Sequence, residues 1–530
     1  MKAMIIGIDG GTWRLFDDYL LKNHMPNLHS LKMRGFWGEL RSTDPPITPS
    51  AWTTCITGCH PYKHGVIGFK DYSFAENRAK ITSSASCRVP TMFEQLSDHG
   101  YKIASINVPW TFPCREVNGV LVAGFGMPGV DSDFTYPKDF RQKLLSKVPD
   151  YSVIPDTDNS NPGNLDILHE NLRKCERCIE QKVEAASLAC EQVNPDILMV
   201  QFQSIDTMGH IMWSYMDPAT RNNCPEHWSR ICKTLEKFDR AIGDVLKLVT
   251  NNDAIICVVS DHGLGRLKGI IRPNVFLREW GYLKFASPVR GVATKFIKGL
   301  YKLAKKDHPA MTIESRAPLD WKRTKALLLT TGLSGHMYIN LENRNFKGSV
   351  KQGEECEQLL DELSAKFLQL RCPSTGEPLF TKAIRPEKLY NDENIDHEIT
   401  ADLVLVPNDG YTTSDKVNKH TKSMKLLPPG NVGGSHRYEG MYIFNGPNIL
   451  KGQGPGHIVD ILPTIYALLG VELPTYIDGR PMQDMFRQPI PVKYRQTDDS
   501  QKKHPSGHEA LSKEQELRIM ERLKALGYTQ

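Results

Sequence analysis

The sequence predicts an α/β fold: a mostly parallel central sheet with helices on both faces. Two observations predict it. Apolar runs of strand length alternate with segments of helical period through most of the 530 residues. The run AMIIGID (3–9) is also continuously apolar until its closing Asp, and DILMVQFQSID (196–206) and AIICVVSDHG (254–263) read as buried strands ending in Asp and in Asp-His-Gly. Unbroken apolar runs of this kind belong to strands covered on both faces. Ligands in such sheets gather at the carboxyl ends of the strands, so the polar residues that close these runs become candidates for function.

The elements follow in order. MPNLHSLKMRG (25–35) has helical spacing and a glycine stop. KIASINV (102–108) and GVLVAGF (119–125) read as strands, and 163–192 as one long helix. HWSRICKTLEKFDRAIGDVLKLV (227–249) is amphipathic. After a mixed, basic stretch come the strand MYIN (337–340), a helix near 354–370 and the strands DLVLVP (402–407) and GMYIFNGP (440–447). The helix HIVDILPTIYALLG closes on Gly470. The expected domains are a first core part over 1–264, an inserted cap over 265–345, a second core part over 346–490, and a polar linker with a C-terminal helix over 491–530.

Composition excludes several classes. The net charge of +5 is small for this length and gives no nucleic-acid footprint. The densest basic stretch, KFIKGLYKLAKK (295–306), reads as a solvated helix face. No run reaches the roughly 18–20 apolar residues of a transmembrane segment, and Ala3–Ile8 is too short for a signal peptide. The expected location is therefore cytoplasmic. The 12 cysteines are scattered through apolar segments, as suits small buried hydrophobes in a reducing compartment. Cys175 and Cys178 form a CxxC without a second pair, and zinc binding is not expected there.

The chemistry sits at the strand ends. Asp9 ends the first run, DTMGH places Asp206 and His210 after another, and Asp261–His262 end a third. His436 precedes GMYIF. Each alone reads as a turn residue or a helix cap. Together, three carboxylates and three imidazoles on separate strand ends suit two divalent ions, Zn²⁺ or Mn²⁺, with three protein ligands each. Asp206 and His210 are spaced by one helical turn. The segment ITPSAWTTCITG carries five hydroxyls: Thr48, Ser50, Thr53, Thr54 and Thr57. A metal centre would activate one of them, and a helix N-terminus there would suit a phosphate. The segment alone does not choose among the five.

The ordered set IDGGTW, ITGCHPYKHGV, DTMGH, VVSDHG, GSHRYEGMYIFNGP and HIVDILPTIYALLGVELP resembles the alkaline phosphatase superfamily. The branch it resembles is the type I phosphodiesterase/nucleotide pyrophosphatase family, with INVPWTFP and the closing ALGY similar to its cytosolic prokaryotic members. The resemblance implies an alkaline-phosphatase-like fold. It implies that Asp206, His210 and His436 hold one metal and that Asp9, Asp261 and His262 hold the other. It places the nucleophile, also a metal contact, nine residues before Thr57, at Thr48; Pro49 follows directly, where the family usually has proline one residue later, so Ser50 is the second candidate. Thr53, Thr54 and Thr57 are then packing hydroxyls. Sulfatases need a Cys or Ser for formylglycine at the Thr48 position, which disfavours them. The family's phosphate-contacting asparagine is replaced by Phe69. His64 reads as structural and His336 as a strand-edge residue.

The expected function is metal-dependent hydrolysis of phosphodiester or phosphoanhydride bonds, with a small nucleotide-type substrate and a phospho-threonine intermediate. A phosphomonoesterase or phosphotransferase on the same site is the alternative. A metal-binding interaction protein without catalysis is a third reading.

Overall fold

Alternate residues of the first strand face opposite ways, and each set enters a different core. In β1 (Ala3–Ile8), Met4, Ile6 and Ile8 join one apolar cluster, whereas Ala3 and Ile5 join the other. That period of two is what a strand buried on both faces requires. This computed structural model describes residues 1–73, 78–286, 319–329, 333–345, 347–397, 399–428, 430–497 and 511–525. The basic stretch 295–306 and most of the expected linker after 497 lie outside the described residues.

The chain forms two compact units. The first comprises Met1–Phe69, Thr82–Lys268 and Pro428–Ala525; the described part of the second falls within 70–81 and Gly269–Leu427. The first unit holds a ten-stranded mixed sheet, mostly parallel at its centre. Its principal strands after β1 are β2 (Phe36–Arg41), β3 (Ile103–Val108), β4 (Gly119–Ala123), β5 (Ile197–Phe202) and β6 (Ile255–Val259). A short β7 (Gly263–Arg266) pairs outside the sheet with β8 (Gly434–Arg437), and β9 (Glu439–Asn445) rejoins it. The order is β2-β9-β6-β1-β5-β3-β4, with β9 antiparallel to both neighbours and the rest of that path parallel.

Helices cover both faces. On one face α2 (Leu165–Val193) and α4 (Pro225–Leu246) supply Leu172, Ile179, Leu235 and Phe238. On the other, α1 (Thr48–Thr57) and α5 (Ile461–Leu469) supply Trp52, Ile56, Leu462 and Ile465. Each fully buried aliphatic or aromatic side chain in these clusters contributes about 1.5–3 kcal/mol. Gly470 ends α5 at φ 70, a left-handed cap that glycine adopts without strain.

The run 196–206 is not all strand. β5 stops at Phe202, and α3 (Ser204–Met216) begins two residues on, so Asp206 lies in a first helical turn rather than at a strand end.

In the second unit, the helix Glu354–Gln369 packs on a four-stranded sheet formed by Ala326–Leu328, Gly335–Ile339, Phe380–Ile384 and Leu403–Pro407. Leu403–Pro407 pairs with Gly335–Ile339, and Phe380–Ile384 pairs with Leu403–Pro407, so this compact unit extends to Leu427. His336 stands on an inner strand of this sheet, paired on both sides, and not at an edge. The C-terminal helix α6 (Lys513–Ala525) belongs to the first unit and buries Ile519 and Leu523. No helix among the described residues is long and apolar enough to cross a membrane.

Candidate functional site

The parallel register brings three strand ends level. Ile8 of β1 lies beside Phe202 of β5, and Gly7 lies beside Val259 of β6. The residues that follow, Asp9, Gln203 and Ser260–Asp261, therefore leave the sheet at one rim. His436 reaches the same place from β8, where it sits opposite Leu264 in the antiparallel pair with β7. Leu264 lies two residues beyond His262, so this hairpin-like pairing carries His436 to His262. Their rings stack with centroids 3.8 Å apart at 23°.

Two three-residue clusters result. Asp206, His210 and His436 form one, and Asp9, Asp261 and His262 the other; within each, one ligand atom per residue lies within 4.8 Å of the others. In the first, His210 Nε2 is 3.2 Å from Asp206 Oδ1 and 3.0 Å from His436 Nε2. In the second, His262 Nε2 is 3.2 Å from Asp261 Oδ2 and 3.6 Å from Asp9 Oδ1. The helical spacing of Asp206 and His210 is thus realised within α3.

The opposite faces of these groups are held by the protein. His436 Nδ1 lies 2.9 Å from the Pro46 carbonyl and His262 Nδ1 lies 3.1 Å from the Gly263 carbonyl, which leaves each Nε2 directed into the cluster. The Trp52 indole N–H donates to Asp9 Oδ2 at 2.8 Å, and the Gly10 amide donates to Asp261 Oδ1 at 3.1 Å. Partners of this kind are what orient metal ligands. Asp9 Oδ1, Asp261 Oδ2 and His262 Nε2 remain buried without a hydrogen-bond partner. Three orphaned donor atoms, oxygen and nitrogen, in one buried place fit a divalent cation.

The electrostatics agree with that fit. Burial raises the Asp9 carboxyl well above the usual range, and the charges of Asp261 and Asp206 raise it further. Burial and then Asp206 do the same to Asp261. Burial also pushes Asp206 up, but the imidazoles of His210, His436 and His262 outweigh it and hold this carboxyl low. Burial holds His262 down at about 4. Like charges crowded in a desolvated pocket call for a positive counter-charge.

Thr48 opens α1, and every residue of that helix is buried. Its Oγ1 has no hydrogen-bond partner, and neither has Ser50 Oγ. Trp52, one turn after Thr48, bonds Asp9, so helical spacing puts Thr48 on the face that looks toward the second cluster. Ser50 does not share that spacing. Gly7 makes room for this arrangement, since a Cβ there would come within 2.7 Å of the Trp52 ring. The other hydroxyls are spent inside the helix and its neighbours. Thr53 Oγ1 donates to the Pro49 carbonyl at 2.7 Å and Thr57 Oγ1 to the Thr53 carbonyl at 2.7 Å, while Thr54 Oγ1 meets His64 Nε2 at 2.9 Å. Phe69 packs in an aromatic trio with Trp110 and Phe125. Cys175 and Cys178 are free thiols buried in the core.

The sequence reading missed Trp52, Gln201, Gln203 and Asn107. Gln201 interrupts the apolar strand ILMVQF, and a polar side chain in a doubly covered strand must find a buried partner. That interruption was the available signal.

The sequence profile of the type I phosphodiesterase/nucleotide pyrophosphatase family matches residues 3–438. Among curated proteins, none matches the chain by sequence. Solved structures with this fold include phosphonoacetate hydrolase from Sinorhizobium meliloti 1021 in complex with phosphonoformate. It is 16% identical with a TM-score of 0.55, covering 88% of this chain and 95% of that one. The same enzyme in complex with phosphonoacetate aligns at 15% identity and TM-score 0.55, over 88% of this chain and 95% of that one. The chain belongs to the type I phosphodiesterase/nucleotide pyrophosphatase family and is a phosphoric ester hydrolase with the alkaline-phosphatase-like fold.

Proposed function

From that family membership, we propose that the protein hydrolyses phosphodiester or phosphoanhydride bonds of a small, nucleotide-type substrate. The reading adds a two-metal site and a phospho-threonine intermediate. One observation carries it: two three-donor clusters, one fully buried and the other open only at His210, meet at one sheet rim through the stacked rings of His262 and His436. Asp206, His210 and His436 would hold one divalent ion, and Asp9, Asp261 and His262 the other, as Zn²⁺ or Mn²⁺. Such ions supply Lewis-acid charge that eases loss of a hydroxyl proton and offsets charge on the nonbridging phosphate oxygens.

The chain's own residues do the rest. Thr48 Oγ1, unpartnered and buried, attacks phosphorus in line with the leaving oxygen. The bond to the leaving group breaks, the departing oxygen takes up the proton that Thr48 gives up, and the phosphoryl group with its remaining ester substituent stays on Thr48. The start of α1 offers backbone N–H groups to the phosphate. Water then attacks phosphorus, and Thr48 leaves as its alkoxide and regains a proton. Trp52 and the Gly10 amide keep Asp9 and Asp261 from rotating during both steps.

The test is a pair of rates on purified, metal-reconstituted protein. The substrates are bis-p-nitrophenyl phosphate and p-nitrophenyl phosphate. The diester is expected to react faster, and Thr48→Ala to lower kcat by roughly 10⁴-fold or more while the melting temperature holds. Wild-type turnover in Thr48→Ala, with loss in Ser50→Ala, would move the nucleophile to Ser50. A faster monoester would favour the phosphomonoesterase reading on the same site.

A further inference from the structure

Three amide side chains, Asn107, Gln201 and Gln203, carry a directed, branching set of hydrogen bonds to one carboxylate of each cluster. Asn107 Nδ2 donates to Gln201 Oε1 at 2.8 Å. Gln201 Nε2 donates twice, to Asp9 Oδ2 at 2.8 Å and to Gln203 Oε1 at 3.0 Å. Gln203 Nε2 donates onward to Asp206 Oδ2 at 3.3 Å. The Gln201 and Gln203 oxygens accept and their NH₂ groups pass the direction on, while Asn107 Oδ1 has no hydrogen-bond partner. Asn107, Gln201 and Gln203 are 0%, 0% and 2% exposed.

The chain begins at a special backbone position. Asn107 adopts φ 63, a left-handed conformation at the end of β3 that is uncommon outside glycine and that asparagine tolerates better than most residues. Asn107 Nδ2 also lies 3.2 Å from the Gln201 carbonyl, so the residue grips both the backbone and the amide of Gln201. With its oxygen facing Asn107, Gln201 can turn only its NH₂ group toward Asp9.

The consequence falls on the two carboxylates, one from each cluster. Both receive the amide chain on Oδ2. Both therefore present Oδ1 to the imidazoles: Asp9 Oδ1 to His262 Nε2 at 3.6 Å, Asp206 Oδ1 to His210 Nε2 at 3.2 Å. We infer that Gln201 and Gln203, keyed by Asn107, are positioning residues that fix Asp9 and Asp206 as one unit and so couple metal binding at the two clusters. This rests on the two-metal reading. In this assignment Gln201 and Gln203 act through the carboxylates they donate to.

Calorimetric titration of the metal-stripped full chain with Mn²⁺ tests it. The wild type is expected to take up two equivalents. Gln203→Met should weaken both binding steps by about 10–100-fold, the usual effect of losing a ligand's supporting hydrogen bond, although Asp206, the carboxylate it donates to at 3.3 Å, belongs to one cluster. Gln203→Asn keeps an amide but withdraws it by one methylene, and should show the same loss should the Met variant fail to fold. The double variant Gln201→Met/Gln203→Met should bind no more weakly than Gln201→Met alone, because the two act as one chain. Melting of the metal-free variants within a few degrees of wild type separates positioning from a general packing defect. Affinities within twofold of wild type, or weakening of one binding step only, would overturn the coupling. Absence of Mn²⁺ uptake by the wild type would instead sink the two-metal reading, and this inference with it.

Discussion

Two buried groups of charge, one in each unit, are treated in opposite ways. In the second unit, Arg344 and Asp402 are 6% and 7% exposed and face each other with both nitrogens engaged, at 2.8 Å and 2.6 Å. Asp402 also accepts the Ile339 amide at 2.6 Å, and Arg344 donates to the Ile339 carbonyl at 2.6 Å. Charge, geometry and hydrogen bonding are satisfied within the protein. In the first unit, three carboxylates share one buried rim, and Asp9 Oδ1 and Asp261 Oδ2 are left without a hydrogen-bond partner. Protein-satisfied charge locks a structure. Charge left for something else marks a place where an ion or substrate completes the arrangement.

That difference can be broken at its structural end first. Arg344→Met leaves Asp402 buried without its cation and should cost about 3–5 kcal/mol. Denaturant unfolding measures it, and Mn²⁺ stoichiometry should stay at the wild-type value. A loss below about 1 kcal/mol would show that the pair is not the satisfied ion pair described here.

The functional end should respond with the opposite sign. Asp261→Asn removes one of the crowded carboxylates, so the metal-free protein should gain about 1–2 kcal/mol and melt higher. With Mn²⁺ added the order should reverse, because only the wild type then gains the full binding free energy. Destabilisation in both conditions would place Asp261 among ordinary structural groups.

A buried imidazole that the protein does satisfy sharpens the contrast. His64 meets Thr54 Oγ1 through Nε2 at 2.9 Å and accepts the Val66 amide on Nδ1 at 3.1 Å. Burial, helped by the charge of His60, lowers it from 6.5 to about 3. A base whose folded pKa lies below its unfolded value stabilises above the unfolded pKa and loses that contribution as pH falls toward the folded one. Stability should therefore fall more steeply between about pH 6.5 and pH 4 in wild type than in His64→Asn, by at most one proton per molecule. Equal slopes would mean that His64 is not held neutral.

Much of the candidate site was legible because its signals are local. Asp9, Asp261 and His262 follow apolar runs, Asp206 and His210 are one helical turn apart, and Thr48 precedes the Thr57–Gly58 stop of its helix. The fold class was legible because burial on both faces forces unbroken apolar strands. The end of β5 was misplaced because no glycine or proline separates Phe202 from Ser204, where α3 starts, so nothing local marks the change from strand to helix. The extent of the second unit was hidden because strand composition does not say which sheet a strand joins. Local sequence determined which groups are available and which way each element turns them. Tertiary structure alone decided that the five hydroxyls divide into packed and unpartnered ones, that Gln201 bridges Asp9 to Gln203, and that His436 stacks on His262. Those outcomes depend on the register between strands distant in sequence, and register is set by which apolar faces close together, not by any residue's neighbours along the chain.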